Sequence, residues 1–165
     1  MIYEQIADET ALSQSDIIDD CPILSWKATT LGATEHDLMN FTVRAVVLTQ
    51  ACDVAQGKSE RTLIAVVHQA QPLVQLGILK PAMIRDQIRT HRVYGWYFLP
   101  AGDAIPESLV DLRDLHTVPR AILERLIAEG KRRCRVVTPY REHMAQHFAT
   151  TYSRIALPEP YGTEP

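Results

Sequence analysis

The sequence predicts an α+β domain: a small β-barrel with helices inserted between its strands and one helix at its C-terminal end. Three observations lead there. Short runs rich in β-branched and aromatic residues recur along the chain. The apolar spacing of a helix appears in only three places. The strands follow one another instead of alternating with helices, which argues against a parallel βαβ sheet. The chain has 165 residues, 46% of them hydrophobic and 22% charged, which suits one globular domain and is too short for a (β/α)₈ barrel. The expected domain spans 1–165, with barrel and helices over 15–157 and loose ends at 1–14 and 158–165.

The first strand is read over Asp16–Leu24. Phe41–Thr49 and Thr62–His68 form two more, apolar on both faces and joined by a long polar hairpin loop containing Gly57. Val93–Leu99 is an aromatic strand ending at Pro100, Ser108–Leu112 follows a turn, and Arg133–Thr138 closes the set. Pro81 suits the first turn of a helix whose Met83, Ile84 and Ile88 share an edge. Pro119 opens a second, with a stripe of Ile122, Leu123, Leu126 and Ile127 and a stop at Gly130. Thr138-Pro139 opens the third, with Met144, Phe148 and Tyr152 four apart on its core face.

The N-terminus is acidic, with no basic and apolar leader pattern, and no apolar run reaches membrane length; a cytoplasmic protein is expected. Cys21, Cys52 and Cys134 are scattered, so neither a disulfide framework nor a thiolate metal site is expected, and no cofactor motif is present. Residues 1–40 carry eight acids and one base; the remainder carries sixteen bases and twelve acids. Two runs concentrate the positive charge: Lys80–Arg92, opposed by Asp86 alone, and Lys131–Arg141, with no acid. The acidic lead segment either screens a basic surface or belongs to a mixed solvated one.

Several residues invite chemical readings. Cys52-Asp53 follows a buried strand; the pair is either a small buried hydrophobe with a turn-capping carboxylate, or a thiol nucleophile or ligand contact, with Gln50 in the same polar island. Tyr140-Arg141-Glu142 opens the last helix, where free amides and Arg141 suit an anion; the alternative is a brace from Arg141 to Asp53 or Asp111. His143 and His147 lie four apart, a metal-ligand spacing that lacks a third partner, so solvent-exposed histidines and no metal are expected. His91-Arg92 could join an acid–base group to a phosphate clamp, or simply open a strand. Tyr94, Trp96 and Tyr97 could stack bases or fill the core.

The order of these pieces resembles the PemK/MazF family of bacterial toxins. Ser15-Asp16-Ile17-Ile18 stands where that family has its Gly-Asp-Ile strand, Val46-Val47-Leu48-Thr49 where a strand ends in Ser or Thr, and Leu109-Val110-Asp111-Leu112-Arg113 where a strand ends near Asp and Arg. The resemblance covers roughly residues 15–130 and implies an SH3-like barrel and metal-independent ribonuclease activity, with Thr49, His91, Arg92 and Arg113 as the available parts. The family's Arg-Pro pair is absent, and Arg44 lies one residue out of step with Thr49, facing the other side of the strand; Thr49 alone carries over. Val47–Val54 and Pro139–Phe148 also look like the Leu-Ser-Gln-x-Cys-Asp and Pro-Tyr-Arg-Glu-His stretches of an uncharacterised bacterial family that includes defence-associated members. These resemblances imply a binding module of a toxin–antitoxin or phage-defence system, contacting a protein partner, its own copy, RNA or DNA, with the ribonuclease as the alternative.

Overall fold

The structure, a computed structural model, describes residues 1–26, 38–57 and 60–153; the expected loose tail at 158–165 lies outside them. The mixed α+β architecture is present. Seven strands build one antiparallel sheet: β1 (Tyr3–Glu4), β2 (Asp16–Trp26), β3 (Leu38–Val47), β4 (Arg61–Gln69), β5 (Trp96–Leu99), β6 (Ser108–Pro119) and β7 (Arg132–Val136), in the spatial order β1-β7-β2-β3-β4-β6-β5. The helices are α1 (Ala51–Ala55), α2 (Ala70–Gln75), α3 (Pro81–Met83), α4 (Arg120–Ala128) and α5 (Tyr140–Tyr152), with α3 running on into a wide π turn over Ile84–Ile88.

The expected closed barrel is not what the ladder forms. Among the described residues β1 and β5 are the sheet's two ends and share no strand pairing. The sheet nevertheless curls. All seven strands send side chains into one cluster that includes Tyr3, Ile17, Val46, Val67, Tyr97, Val110 and Val136, sealed by Met144 of α5. The Tyr3 hydroxyl donates to the Pro100 carbonyl at 2.6 Å, clasping the first strand to the end of β5. The curl has local causes: β6 carries extra residues between Asp111 and Leu115 opposite Val66 and Ala65 of β4, and such bulges bend and twist a ladder.

β4 shows why the strand runs are apolar throughout. Ala65 and Val67 point into that cluster, while Ile64 and Val66 point to the other face, into a second cluster under Leu123, Leu126 and Ile127 of α4. With both faces covered, alternation disappears.

Several boundaries differ from the sequence reading. The expected loop at 51–55 holds the helical turn α1, and α2 was not foreseen in a stretch interrupted by Pro72. The aromatic strand starts at Trp96 instead of Val93, and the strand at Ser108 runs on to Pro119. The polar head is tied down: Tyr3 pairs with Val136, and Leu12 is buried.

The basic run at β7 is taken up in ion pairs with β2, buried at Arg132 and exposed at Arg133. β2 lies antiparallel beside β7 and sets its acids against those bases. Asp16 takes Arg132 and Arg135, Asp19 takes Arg133 and Arg44, and Asp20 takes Lys131 at 2.6 Å. Asp16 and Arg132 have fully buried side chains, and Arg132 also donates to the carbonyls of Ala7, Thr10 and Ala11. The two guanidiniums on Asp19 hold its carboxyl below the ordinary value, against burial, which alone would raise it.

Candidate functional site

The face of β5 turned toward α5 gathers most of the chain's unusual chemistry. The segment leading to it leaves the π turn through a left-handed residue, His91 (φ +57°). Its amide bonds the Ile88 carbonyl at 2.9 Å and the Arg92 amide bonds that of Gln87 at 2.8 Å, the paired closure that usually takes glycine. Gly95 (φ +88°) then turns the chain into β5; a Cβ there would lie 2.9 Å from Cδ of Arg113.

These two turns set the His91 ring among aromatic partners. It stacks on Tyr97 with centroids 5.2 Å apart, meets His143 edge-on at 4.4 Å, and lies 5.6 Å from His147. The Tyr97 hydroxyl is 3.1 Å from Nδ1 of His143 and 3.3 Å from the Tyr140 carbonyl. With the phenol proton on the carbonyl, His143 donates from Nδ1 and keeps a lone pair on Nε2. Nε2 of His147 lies 3.1 Å from the Trp96 carbonyl and must donate to it, which anchors α5 on the strand. The Nδ1 of His91 is buried and has no hydrogen-bond partner. Tyr94 stacks on His147 at 5.9 Å, and both Tyr94 and Tyr140 are exposed.

Proton affinities follow from this crowding. Burial, then the neighbouring His143 and His147, push the His91 imidazole below its ordinary value. Burial also lowers His147, partly offset by the carbonyls of Trp96 and Val93. Burial lifts the Tyr97 phenol to about 12. On the other face of β5, the Arg113 guanidinium lies 4.8 Å from the Trp96 ring, steered by two hydrogen bonds to Asp111 at 3.0 and 3.2 Å.

The sequence-derived candidates separate into two groups. His91 and Tyr140 meet through Tyr97, and Arg92 is exposed next in the chain, whereas Arg113 lies over Trp96, whose side chain leaves β5 on the other face. Thr49, Gln50, Cys52 and Asp53 sit elsewhere. The Thr49 hydroxyl accepts the Leu63 amide at 2.8 Å, fastening β3 to β4, and Gln50 precedes α1, whose Val54 is buried in the cluster under α4. The expected brace between Asp53 and Arg141 is absent. Arg141 bonds Glu142 and Thr138 at its own helix start, and α5 packs its Met144 into the other core cluster. The expectation of a buried Cys52 is also corrected: its Sγ is exposed, 3.7 Å from Oε1 of Gln50, while Cys21 and Cys134 are the buried thiols.

Of the histidine pair, His143 is exposed as expected, whereas His147 is buried under α5. Their link to His91, 52 and 56 residues away in sequence, had no signal in any local spacing. Among the described residues no group of three or more His, Cys, Asp and Glu side chains could hold a metal ion. No helix among them is long and apolar enough to cross a membrane. Compared with known proteins, the chain matches no family model and no curated protein.

Proposed function

We propose that the chain is a single-stranded nucleic-acid-binding module whose site is the ring face around His91. The observation that supports this most is a coincidence of charge and rings. The cations of β7 and Lys131 each pair with an acid of β2, whereas Lys80–Arg92 has four bases against Asp86 alone, and it ends at His91-Arg92 beside exposed Tyr94, Tyr140 and His143. Stacked aromatics flanked by cations suit bases joined by phosphates. An SH3-like barrel of the PemK/MazF kind, with a place in a bacterial toxin or defence system, belongs to the same reading. The clasp from Tyr3 to Pro100 and the single cluster fed by every strand favour it.

The test is fluorescence anisotropy with labelled single-stranded RNA and DNA at low and moderate salt. Binding should weaken as salt rises. Replacing Tyr94 by Ala should weaken it by about 5- to 150-fold, the equivalent of one stacked base. No binding at low salt, or an unchanged Tyr94→Ala variant, overturns the proposal.

One further observation favours catalysis at the same face: His91 and His143 stand 4.4 Å apart beside the Tyr97 hydroxyl. Two imidazoles side by side supply the base for a ribose 2′-hydroxyl and the acid for the leaving oxygen. This metal-independent ribonuclease reading requires a 2′,3′-cyclic phosphate product in chelator and its loss in His143→Ala.

A further inference from the structure

A second concavity lies on the opposite side of the same segment. It encloses about 510 Å³ between the start of α2, the π turn and β5, a size suited to a small ligand. Its apolar lining comes from Phe98, Ile84 and Val74. Arg85 of the π turn and Arg89 just after it line the cavity. The wide turn closes through the Arg89 amide on the Ile84 carbonyl at 2.9 Å, and Arg85 and Arg89, four residues apart, both reach the cavity. Such turns concentrate at functional sites. Arg85 is held by Asp86 at 2.7 Å. Arg89 pairs with no carboxylate among the described residues; its guanidinium rests 5.9 Å from the centre of the Phe98 ring. Gln69, Gln71 and Glu107 add to the polar lining.

We propose that this groove binds a nucleoside 5′-monophosphate. Four of its polar groups then have a partner of matching chemistry. Arg89, with a fork suited to phosphate, takes the phosphoryl oxygens, supported by Arg85. The Glu107 carboxylate accepts the ribose hydroxyls. Gln71, which both donates and accepts, reads the edge of the base, whose flat face lies on Phe98 and Ile84. A simple fatty or aryl carboxylate would satisfy the guanidinium and the apolar floor but leave Glu107 facing apolar carbon. Arg85 and Arg89 belong to the basic run that also serves the ring face, and titration with mononucleotides reads the groove apart from polymer binding there.

The experiment is calorimetric titration of the full chain with 5′-AMP, GMP, CMP and UMP, each compared with its nucleoside and with inorganic phosphate. At least one monophosphate should bind at least tenfold more tightly than its nucleoside and than phosphate alone. Arg89→Ala should weaken it at least tenfold, and Gln71→Ala should change the order of preference among the bases. Arg125→Ala, exposed on α4 and outside the groove, should leave it unchanged. A hexanucleotide with and without a 5′-phosphate separates the two sources of the ligand: a phosphate-dependent gain shows that the groove accepts a strand end, and no gain restricts it to free nucleotides. The proposal is overturned if no monophosphate binds at millimolar concentration, if phosphate binds as well as the nucleotide, or if a folded Arg89→Ala variant binds like the parent chain.

Discussion

Replacing Asp16 by alanine should be among the most damaging single changes in this protein. Its carboxylate has no solvent exposure and accepts four hydrogen bonds, from the Ser13 amide, Nη1 of Arg132, and Nε and Nη2 of Arg135. Deleting it leaves the fully buried Arg132 guanidinium with carbonyl partners alone and the largely buried Arg135 without its carboxylate. Removing one member of a buried ionic group costs about 3–5 kcal/mol. For a domain of this size each kcal/mol lowers the midpoint by about 2–4 °C, so a fall of about 6–20 °C is expected. Asp16→Asn, which keeps one acceptor oxygen, should fall in between. Asp86→Ala serves as the control, since Asp86 is more than half exposed beside Arg85 and its loss should leave the midpoint unchanged. Urea and thermal unfolding followed by circular dichroism would measure all three. If Asp16→Ala unfolds within error of Asp86→Ala, the buried ionic core contributes nothing and the reasoning is wrong.

Acid should loosen the seam between α5 and β5. His91 and His147 bind protons less readily in the folded chain than at the ordinary value of 6.5, so their stabilising contribution is full above that value and declines as pH falls below it; a pH series of unfolding midpoints that stays flat from pH 7 to 5 refutes this. Thiol labelling of the native chain should modify Cys52 first, because Cys21 and Cys134 are buried and their thiols are pushed up to about 11 and about 12; peptide mapping that finds Cys134 labelled as fast as Cys52 contradicts the placement.

The elements written in local pattern were legible. The α4 stripe, the α5 stripe at Met144 and the double-faced apolar runs of β3 and β4 all appear near their expected places. The missed features depend on partners distant in sequence. α2 contains Pro72 but gains burial for Ala70 and Leu73 against β5 and β6. The extension of β6 through Arg113 and His116 is polar, and only pairing with β4 makes it a strand. The ring site shows the same limit. His91 was a candidate, but its encounter with His143 and Tyr97 arises from a left-handed turn and a helix packed across a strand. The Asp53–Arg141 brace failed for the converse reason: complementary charges on two segments do not say which face of a sheet each segment covers, and Arg141 found Glu142 next door.

The ionic seam between β2 and β7 also sets an order of events during synthesis. β2 leaves the ribosome early and can form its hairpin with β3 at once. Asp16, however, must wait for Arg132, 116 residues later, before its carboxylate can give up water. Until then burial of the first strand would strand a naked charge, so the nascent sheet stays uncommitted at that edge. Completion of the fold is thereby coupled to delivery of the last strand. A chain cut before Lys131 should accordingly behave as an open, solvated intermediate and not as a smaller stable domain.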